Sequence, residues 1–124
     1  MPEKGKLEPR GPNSFVRSFL DHGVFYLRMD HFFKVYHWMA KTGLSAEEIL
    51  VYALVYSFTE TGIGYFAGYK GIQERTGIKA RKAGTIVRKL IQAGAVEQSQ
   101  QYIFGQKKNV LRAVQKYAEI FTSA

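Results

Sequence analysis

The sequence predicts a mainly α-helical domain that ends in a small β-hairpin. Three observations lead to this prediction: a capped apolar segment that begins at Ser45, a basic amphipathic segment from about Ala80 to Ala93, and two strand-like segments at Val96–Phe104 and Val110–Val114. The chain has 124 residues, of which 46% are apolar. That is enough for one globular domain with a real core.

The N-terminal part of the chain gives mixed signals. Residues 1–13 contain all three prolines and alternating charges, and they predict a flexible arm that precedes a single domain at 14–124. Phe15 to Leu20 has helical spacing, whereas Val24 to Met29 and Phe32 to Tyr36 are rich in residues that favour strands. We therefore expect a short helix and one or two short strands before residue 37.

A capping box opens the first long helix. The Ser45 hydroxyl can accept a hydrogen bond from the backbone N–H three residues later, while the Glu48 side chain reaches back to the start of the helix. The residues that follow, Ile49 to Phe58, are apolar around nearly the whole circumference. Such a helix lies either at the centre of a domain or in an interface between subunits.

A second, shorter helix is predicted from about Tyr69 to Thr76. Gly77 supplies the positive φ with which the chain leaves this helix. The third helix then runs from about Ala80 to Ala93, and Gly94 ends it in the same way. A short helix, a tight turn with glycine and a basic helix predict a helix-turn-helix at about 69–93.

The third helix separates into two faces when its residues are placed about 100° apart. One face is apolar, and the other presents cations and hydrogen-bond donors within an arc of roughly 120°. Because an apolar back can dock on a domain while a cationic front enters a DNA groove, this is the predicted recognition helix. The apolar residues are Ala83, Ile86, Val87, Leu90 and Ile91, and the polar ones are Arg81, Lys82, Thr85, Arg88, Lys89 and Gln92.

The two strand-like segments predict a wing at about 95–114. Its expected hairpin tip is Gly105–Asn109, which includes Lys107 and Lys108. The residues from about Gln115 to Thr122 form either a final helix or another strand. The predicted fold is thus a winged helix-turn-helix, mainly α with a small β-hairpin (α+β).

Positive charge is concentrated in the second half of the chain. The formal net charge is +8, yet residues 1–68 contain equal numbers of acidic and basic residues. Residues 69–116 contain 11 Lys and Arg against only Glu74 and Glu97. Such a field attracts a polyanion, so double-stranded DNA is the expected partner, although a basic surface can also serve solubility alone.

Nine residues are candidates for contact with DNA. Those near the start of the third helix are the expected base readers, because arginine can pair bidentately with guanine, and those further along suit phosphates. The cations lack acidic partners one turn away, which favours DNA contact over a merely solvated face. The candidates are Arg81, Lys82 and Thr85 as base readers, Arg88 and Lys89 as phosphate ligands, Lys107 and Lys108 on the wing, and Lys70 and Lys79 beside the helix-turn-helix.

Five segments occur in an order and at a spacing that resemble a known family. They are Phe33–Met39, Gly43–Phe58, Tyr65–Gly68, Gly77–Lys79 and Leu90–Val96. Together they resemble the N-terminal winged helix-turn-helix domain of replication-initiator and replisome-organiser proteins from phages, plasmids and other mobile elements of Gram-positive bacteria. The resemblance implies a DNA-binding role in replication initiation or transcriptional regulation of a mobile genetic element.

Four positions depart from the pattern of that family. Gln73 stands where a small residue usually lets two helices approach, and Thr76 stands where an aliphatic residue is usual. Lys79 replaces a Ser or Thr, so the third helix is predicted to lack a good N-cap. Gly84 weakens the middle of this helix by about 1 kcal/mol relative to alanine. It either permits a close approach of the backbone or has no such purpose.

No pattern in the sequence predicts catalysis or a cofactor. There are no cysteines, and His22, His31 and His37 lack the spacing of metal ligands. The glycine-rich Gly62–Gly68 lacks the Lys-Ser/Thr pair of a phosphate-binding loop. The longest apolar run is too short for a membrane span and the N-terminus has no signal core, so we expect a cytoplasmic protein without a membrane partner.

Partners other than DNA are further hypotheses. A homodimer is expected because the aromatic N-terminal segment and the apolar first helix exceed what a minimal winged helix must bury. The alternative function is that of an adaptor, which would use the same fold to bind another replication or regulatory protein. The aromatic residues at 15–39 fit either a packed core or stacking platforms for single strands.

Overall fold

The computed structural model describes residues 32–122, in which three helices precede an antiparallel hairpin and a final helix. This order confirms the predicted winged helix-turn-helix fold (α+β). The predicted arm at 1–13, the helix at 15–20 and the strand at 24–29 lie outside the described residues. The elements are a 3₁₀ turn at His37–Lys41, α1 at Ala46–Glu60, α2 at Gly68–Thr76, α3 at Ala80–Gln92, β1 at Val96–Ile103, β2 at Gln106–Ala113 and α4 at Gln115–Thr122.

Helix α1 is the centre of the domain. Its capping box is complete, because the Glu48 N–H donates to Ser45 Oγ at 3.2 Å and the Ser45 N–H donates to Glu48 Oε1 at 2.9 Å. Every residue from Val51 to Val55 is fully buried, as is Phe58. The helix packs against α2, α3, β2 and the 3₁₀ turn. Of the two explanations for its apolar circumference, the centre of a domain is therefore the correct one.

The strand predicted at Phe32–Tyr36 is wrong. These residues have no regular structure and lead into the 3₁₀ turn. The Lys34 N–H donates to Ser57 Oγ at 3.0 Å, and the same hydroxyl donates to the Lys34 carbonyl at 3.3 Å. A side chain of α1 thus binds the backbone groups that a neighbouring strand would otherwise bind.

Aromatic rings join the 3₁₀ turn to α1 and α4. Neighbouring rings lie with centroids 5.1 to 6.3 Å apart, mostly edge to face. A hydrogen bond from the Tyr36 hydroxyl to Glu60, 2.7 Å long, raises the pKa of Tyr36 to about 12. These rings are packed rather than free to stack on bases. Of the two structures considered for Gln115–Thr122, the helix is the correct one. The cluster consists of Tyr36, Trp38, Tyr52, Tyr56, Tyr117 and Phe121.

The wing is a regular hairpin whose turn is shorter than the sequence predicts. Strands β1 and β2 pair from Val96↔Ala113 to Ile103↔Gln106, so only Phe104 and Gly105 connect them. Both residues have positive φ, 53° and 79°, which is the turn whose twist matches that of paired strands. The predicted tip at Gly105–Asn109 is therefore wrong, because most of it forms the first part of β2.

The loop before α2 is tied to the edge of the wing. Tyr65 and Leu111 exchange two backbone hydrogen bonds, of 2.9 and 2.8 Å. Gly64 makes this approach possible: it has φ +90°, and a Cβ atom there would lie 2.8 Å from Val110 Cγ1. The bridge fixes the wing relative to the helix-turn-helix.

Candidate nucleic-acid interface

A tight turn sets the angle between α2 and α3. Gly77 has φ +81°, as predicted, and its N–H donates to the Gln73 carbonyl at 2.8 Å. The Thr76 hydroxyl donates to the Ile72 carbonyl at 2.7 Å and accepts from the Ile78 N–H at 3.1 Å. The polar residue at position 76 therefore stabilises the turn through hydrogen bonds.

Gln73 supplies the cap that α3 lacks in its own sequence. Lys79 occupies the N-cap position and forms no side-chain cap, but the Ala80 N–H donates to Gln73 Oε1 at 2.9 Å. Lys79 thus provides no cap, as predicted, and the partner of the Ala80 N–H comes from the preceding helix instead. Gln73 thus offsets the missing cap at Lys79.

Replacing Gln73 with alanine should lower the free energy of unfolding by about 1 kcal/mol, because the Ala80 N–H loses its partner. Lys79 has the extended backbone of an N-cap residue, with φ −60° and ψ 145°. A serine there should cap α3 directly, so Lys79→Ser in the Gln73→Ala background should restore most of the loss. Urea unfolding of the two variants checks this, and an unchanged midpoint for Gln73→Ala would contradict the assigned cap.

Gly84 gives Tyr69 room to lie against α3. A Cβ atom at position 84 would be 3.1 Å from Tyr69 Cε2 and 3.3 Å from Cδ2. The close approach considered for this glycine therefore exists, but the approaching group is a ring of α2. Tyr69 is 39% exposed, so its packed face lies on α3 while part of the side chain reaches solvent.

A row of exposed donors runs along the front of α3. It consists of Arg81, Thr85 and Arg88, which lie on one face because they are spaced by four and three residues. The Thr85 hydroxyl donates to the Arg81 carbonyl at 3.3 Å, and Arg88 Nη2 donates to Thr85 Oγ1 at 3.4 Å. Within residues 32–122, no carboxylate forms an ion pair with either arginine.

Lys82 and Lys89 lie on the flank of α3 that faces the start of α1. Lys82 forms an ion pair with Glu47, and Lys89 Nζ lies 2.7 Å from Glu48 Oε2. Lys89 and the Ser45 backbone N–H lower the pKa of Glu48 below its usual value. The expectation that the cations of α3 lack acidic partners one turn away is correct, and the partners of these two lysines come from the start of α1 instead.

The two wing lysines lie on opposite faces of the hairpin. Lys107 pairs with Tyr102 and Lys108 with Gln101, so neither is at the tip. Lys107 shares its face with Asn109 and Leu111, since alternate residues of a strand point the same way. That face borders a cleft of about 280 Å³ between the wing and α2, lined by Tyr65, Gly68, Tyr69, Gln98, Asn109 and Leu111.

The remaining two candidates are exposed in or next to the helix-turn-helix. Lys70 is exposed in the first turn of α2, and Lys79 is exposed immediately before α3. Sequence reasoning missed the aromatic residues of the wing as surface groups: Tyr102 is 77% exposed and Phe104 is 79% exposed. Their position in a strand-like run made them seem to be ordinary sheet residues.

Two features are absent from the residues that the structure describes. Between residues 32 and 122, no three His, Asp or Glu side chains are grouped so that they could hold a metal ion. In the same range, no helix is both long enough and apolar enough to cross a membrane.

Comparison with known proteins agrees with this geometry. A family model described as a helix-turn-helix domain matches residues 42–96, and no curated protein matches the chain. The matched range covers α1, α2 and α3 and ends at the first residue of β1. DNA-binding helix-turn-helix domains place the second helix of the motif, which corresponds to α3, in the major groove. Residues 42–96 are thus a helix-turn-helix domain, the hairpin that follows makes it a winged one, and DNA is the indicated class of partner.

Proposed function

We propose that the protein binds duplex DNA with α3 in the major groove and the wing as a second anchor. The observation that supports this best is the row formed by Arg81, Thr85 and Arg88. Its donors are exposed and unpaired by carboxylates within the described chain, on a helix whose other side is buried in the core. Two guanidinium groups and a hydroxyl in this arrangement suit base edges and phosphates.

The nine candidate residues would bind different parts of the DNA. Arg81 and Thr85 lie near the start of α3 and would read bases, with Lys82 beside them, while Arg88 and Lys89 would bind phosphates. Lys82 and Lys89 would first have to exchange a carboxylate for a phosphate, so their net contribution is smaller. Lys70, Lys79, Lys107 and Lys108 would bind the backbone on either side of α3.

The biological role that we propose is replication initiation or transcriptional regulation of a mobile genetic element. This part rests on the resemblance of residues 33–96 to initiator and replisome-organiser domains. A homodimer and contacts with replication proteins belong to the same proposal. Helix α1 no longer supports the dimer, because its apolar sides pack inside the domain. Phe32, Val35 and Ile120, which are 48%, 50% and 66% exposed, are among the apolar side chains that a second copy could cover.

Binding to labelled random duplex, single strand and RNA at increasing salt tests the proposal. We expect the duplex to bind best, with an affinity that falls steeply as salt rises, because each phosphate contact releases condensed counterions. An adaptor that acts only on another protein would show no salt-dependent binding to any of the three. That result would exclude the DNA-binding function.

A further inference from the structure

The tip of the wing exposes an aromatic ring at a place where the backbone favours another residue. Phe104 is the first of the two turn residues, with φ +53°, and Gly105 is the second. Turns of this kind favour Asn, Asp or Gly at the first position, since a side chain is disfavoured at positive φ. Phe104 is nevertheless 79% exposed, so burial in the core does not account for it.

The ring lies at the end of the hairpin, beyond its buried part. From the base of the wing toward its tip, Val110 is the last fully buried residue. Four residue pairs, from Gln100↔Asn109 to Ile103↔Gln106, lie between it and the tip. At the usual rise of a strand these pairs are about 13 Å long, and they border the loop before α2 at Gly62 and Ile63. Phe104 meets Phe66 edge to face, with ring centroids 6.4 Å apart, so the ring is supported on one side.

The charges around the tip match a groove between two phosphate strands. Lys107 and Lys108 precede Val110, the first buried residue of β2, and point to opposite faces of the hairpin. From residue 98 to residue 109 the wing contains no acidic residue. A ribbon that enters a minor groove tip first therefore brings one ammonium group toward each side, with an apolar ring between them.

We propose that Phe104 is a wedge that enters the minor groove, separates two stacked base pairs and bends the duplex. Apolar side chains inserted in this way partly unstack a base step and kink DNA toward the major groove. The inference rests on the proposed duplex binding and adds to it a residue and a deformation of the DNA. Tyr102, 77% exposed and two residues before the tip, would lie against the sugars at the rim.

The variant Phe104→Asn removes the aromatic ring without disturbing the fold. It creates the Asn-Gly pair that this turn favours, so the hairpin should be retained and the thermal midpoint should be equal or higher. Phe104→Leu is the matched control, because leucine keeps an apolar wedge at the same strained position. Energy transfer between dyes at the two ends of a short mixed-sequence duplex measures bending, and anisotropy measures affinity.

We expect the wild type to shorten the distance between the dyes and Phe104→Leu to retain part of this change. Phe104→Asn should abolish it and weaken binding roughly tenfold. If Phe104→Asn bends the duplex like the wild type, or if the wild type binds without bending it, the wedge is wrong while duplex binding stands. If the wild type binds no duplex at any salt concentration, the proposed function fails and the wedge fails with it.

The fluorescence of a single base provides a second measurement. A 2-aminopurine base placed at successive positions of the duplex becomes brighter where stacking is lost. We expect an increase at one or two adjacent positions when the protein binds, and no such increase with Phe104→Asn. A duplex that binds the wild type with unchanged fluorescence at every position would overturn the wedge, whatever the stability of the variants.

Discussion

Replacing Arg81 and Arg88 together with alanine should reduce duplex affinity by about 100-fold at low salt, because each guanidinium–DNA contact contributes about 1–3 kcal/mol. The two substitutions should also act differently. Arg88→Ala should reduce the slope of log affinity against log salt by about 1, as expected for a lost phosphate contact. Arg81→Ala should instead lower the preference for one base at one position. Anisotropy titrations over a range of salt concentrations measure both effects.

The matched control is the double substitution Lys82→Ala with Lys89→Ala. It removes the same number of charges from the same helix, so the net charge of the two double variants is equal. Both lysines already form ion pairs with Glu47 and Glu48, and a phosphate would replace a partner that they have. We expect a loss below about tenfold. If the two double variants lose equal affinity, binding follows net charge and the arginine row is not the specific surface.

Unfolding must not be the cause of either loss. All four side chains are exposed on α3, and substitutions at such positions usually change the free energy of unfolding by less than about 0.5 kcal/mol. The apolar residues of the helix, such as Val87 and Leu90, are untouched and remain buried. Thermal midpoints close to that of the wild type would therefore show that the affinities report on contact with DNA.

The sequence predicts the helix-turn-helix well because local chemistry marks its boundaries. Ser45 and Glu48 form the capping box three residues apart, and Gly77 and Gly94 end α2 and α3 with the positive φ expected of them. Each of these signals needs only a few neighbouring residues. The apolar and cationic faces of α3 follow from its helical period in the same way, and the structure buries and exposes them accordingly.

The features that the sequence does not reveal depend on residues that lie outside a single helix or strand. Phe32–Tyr36 is rich in β-formers, but a strand also needs a neighbouring strand, and Ser57 binds this backbone instead. The cap from Gln73 to Ala80 crosses the turn, and the Lys89–Glu48 pair joins residues 41 positions apart. No local pattern contains such contacts. The prediction of the wing turn is wrong for a related reason, because the register of two strands is set by all their pairs together.

Gly64→Ala should destabilise the protein by about 3 kcal/mol. Two costs contribute. A side chain at φ +90° is strained, and its Cβ would lie 2.8 Å from Val110 Cγ1 and 3.1 Å from the Leu111 carbonyl oxygen. Val110 and Leu111 are both buried and belong to the strand that the Tyr65 bridge joins to the helices, so neither can move away without moving the wing.

The variant Gly43→Ala distinguishes the cost of the strained backbone from the cost of the steric contact. Gly43 has φ +83°, nearly the same conformation, but nothing lies within 4 Å of an added Cβ. This variant should therefore lose only the conformational part, about 1 kcal/mol. The difference between the two urea midpoints then measures how closely the wing is held against the loop before α2. Equal losses would mean that the wing can shift freely at this point, and a wing that shifts could not hold Phe104 or Lys107 in a fixed position relative to α3.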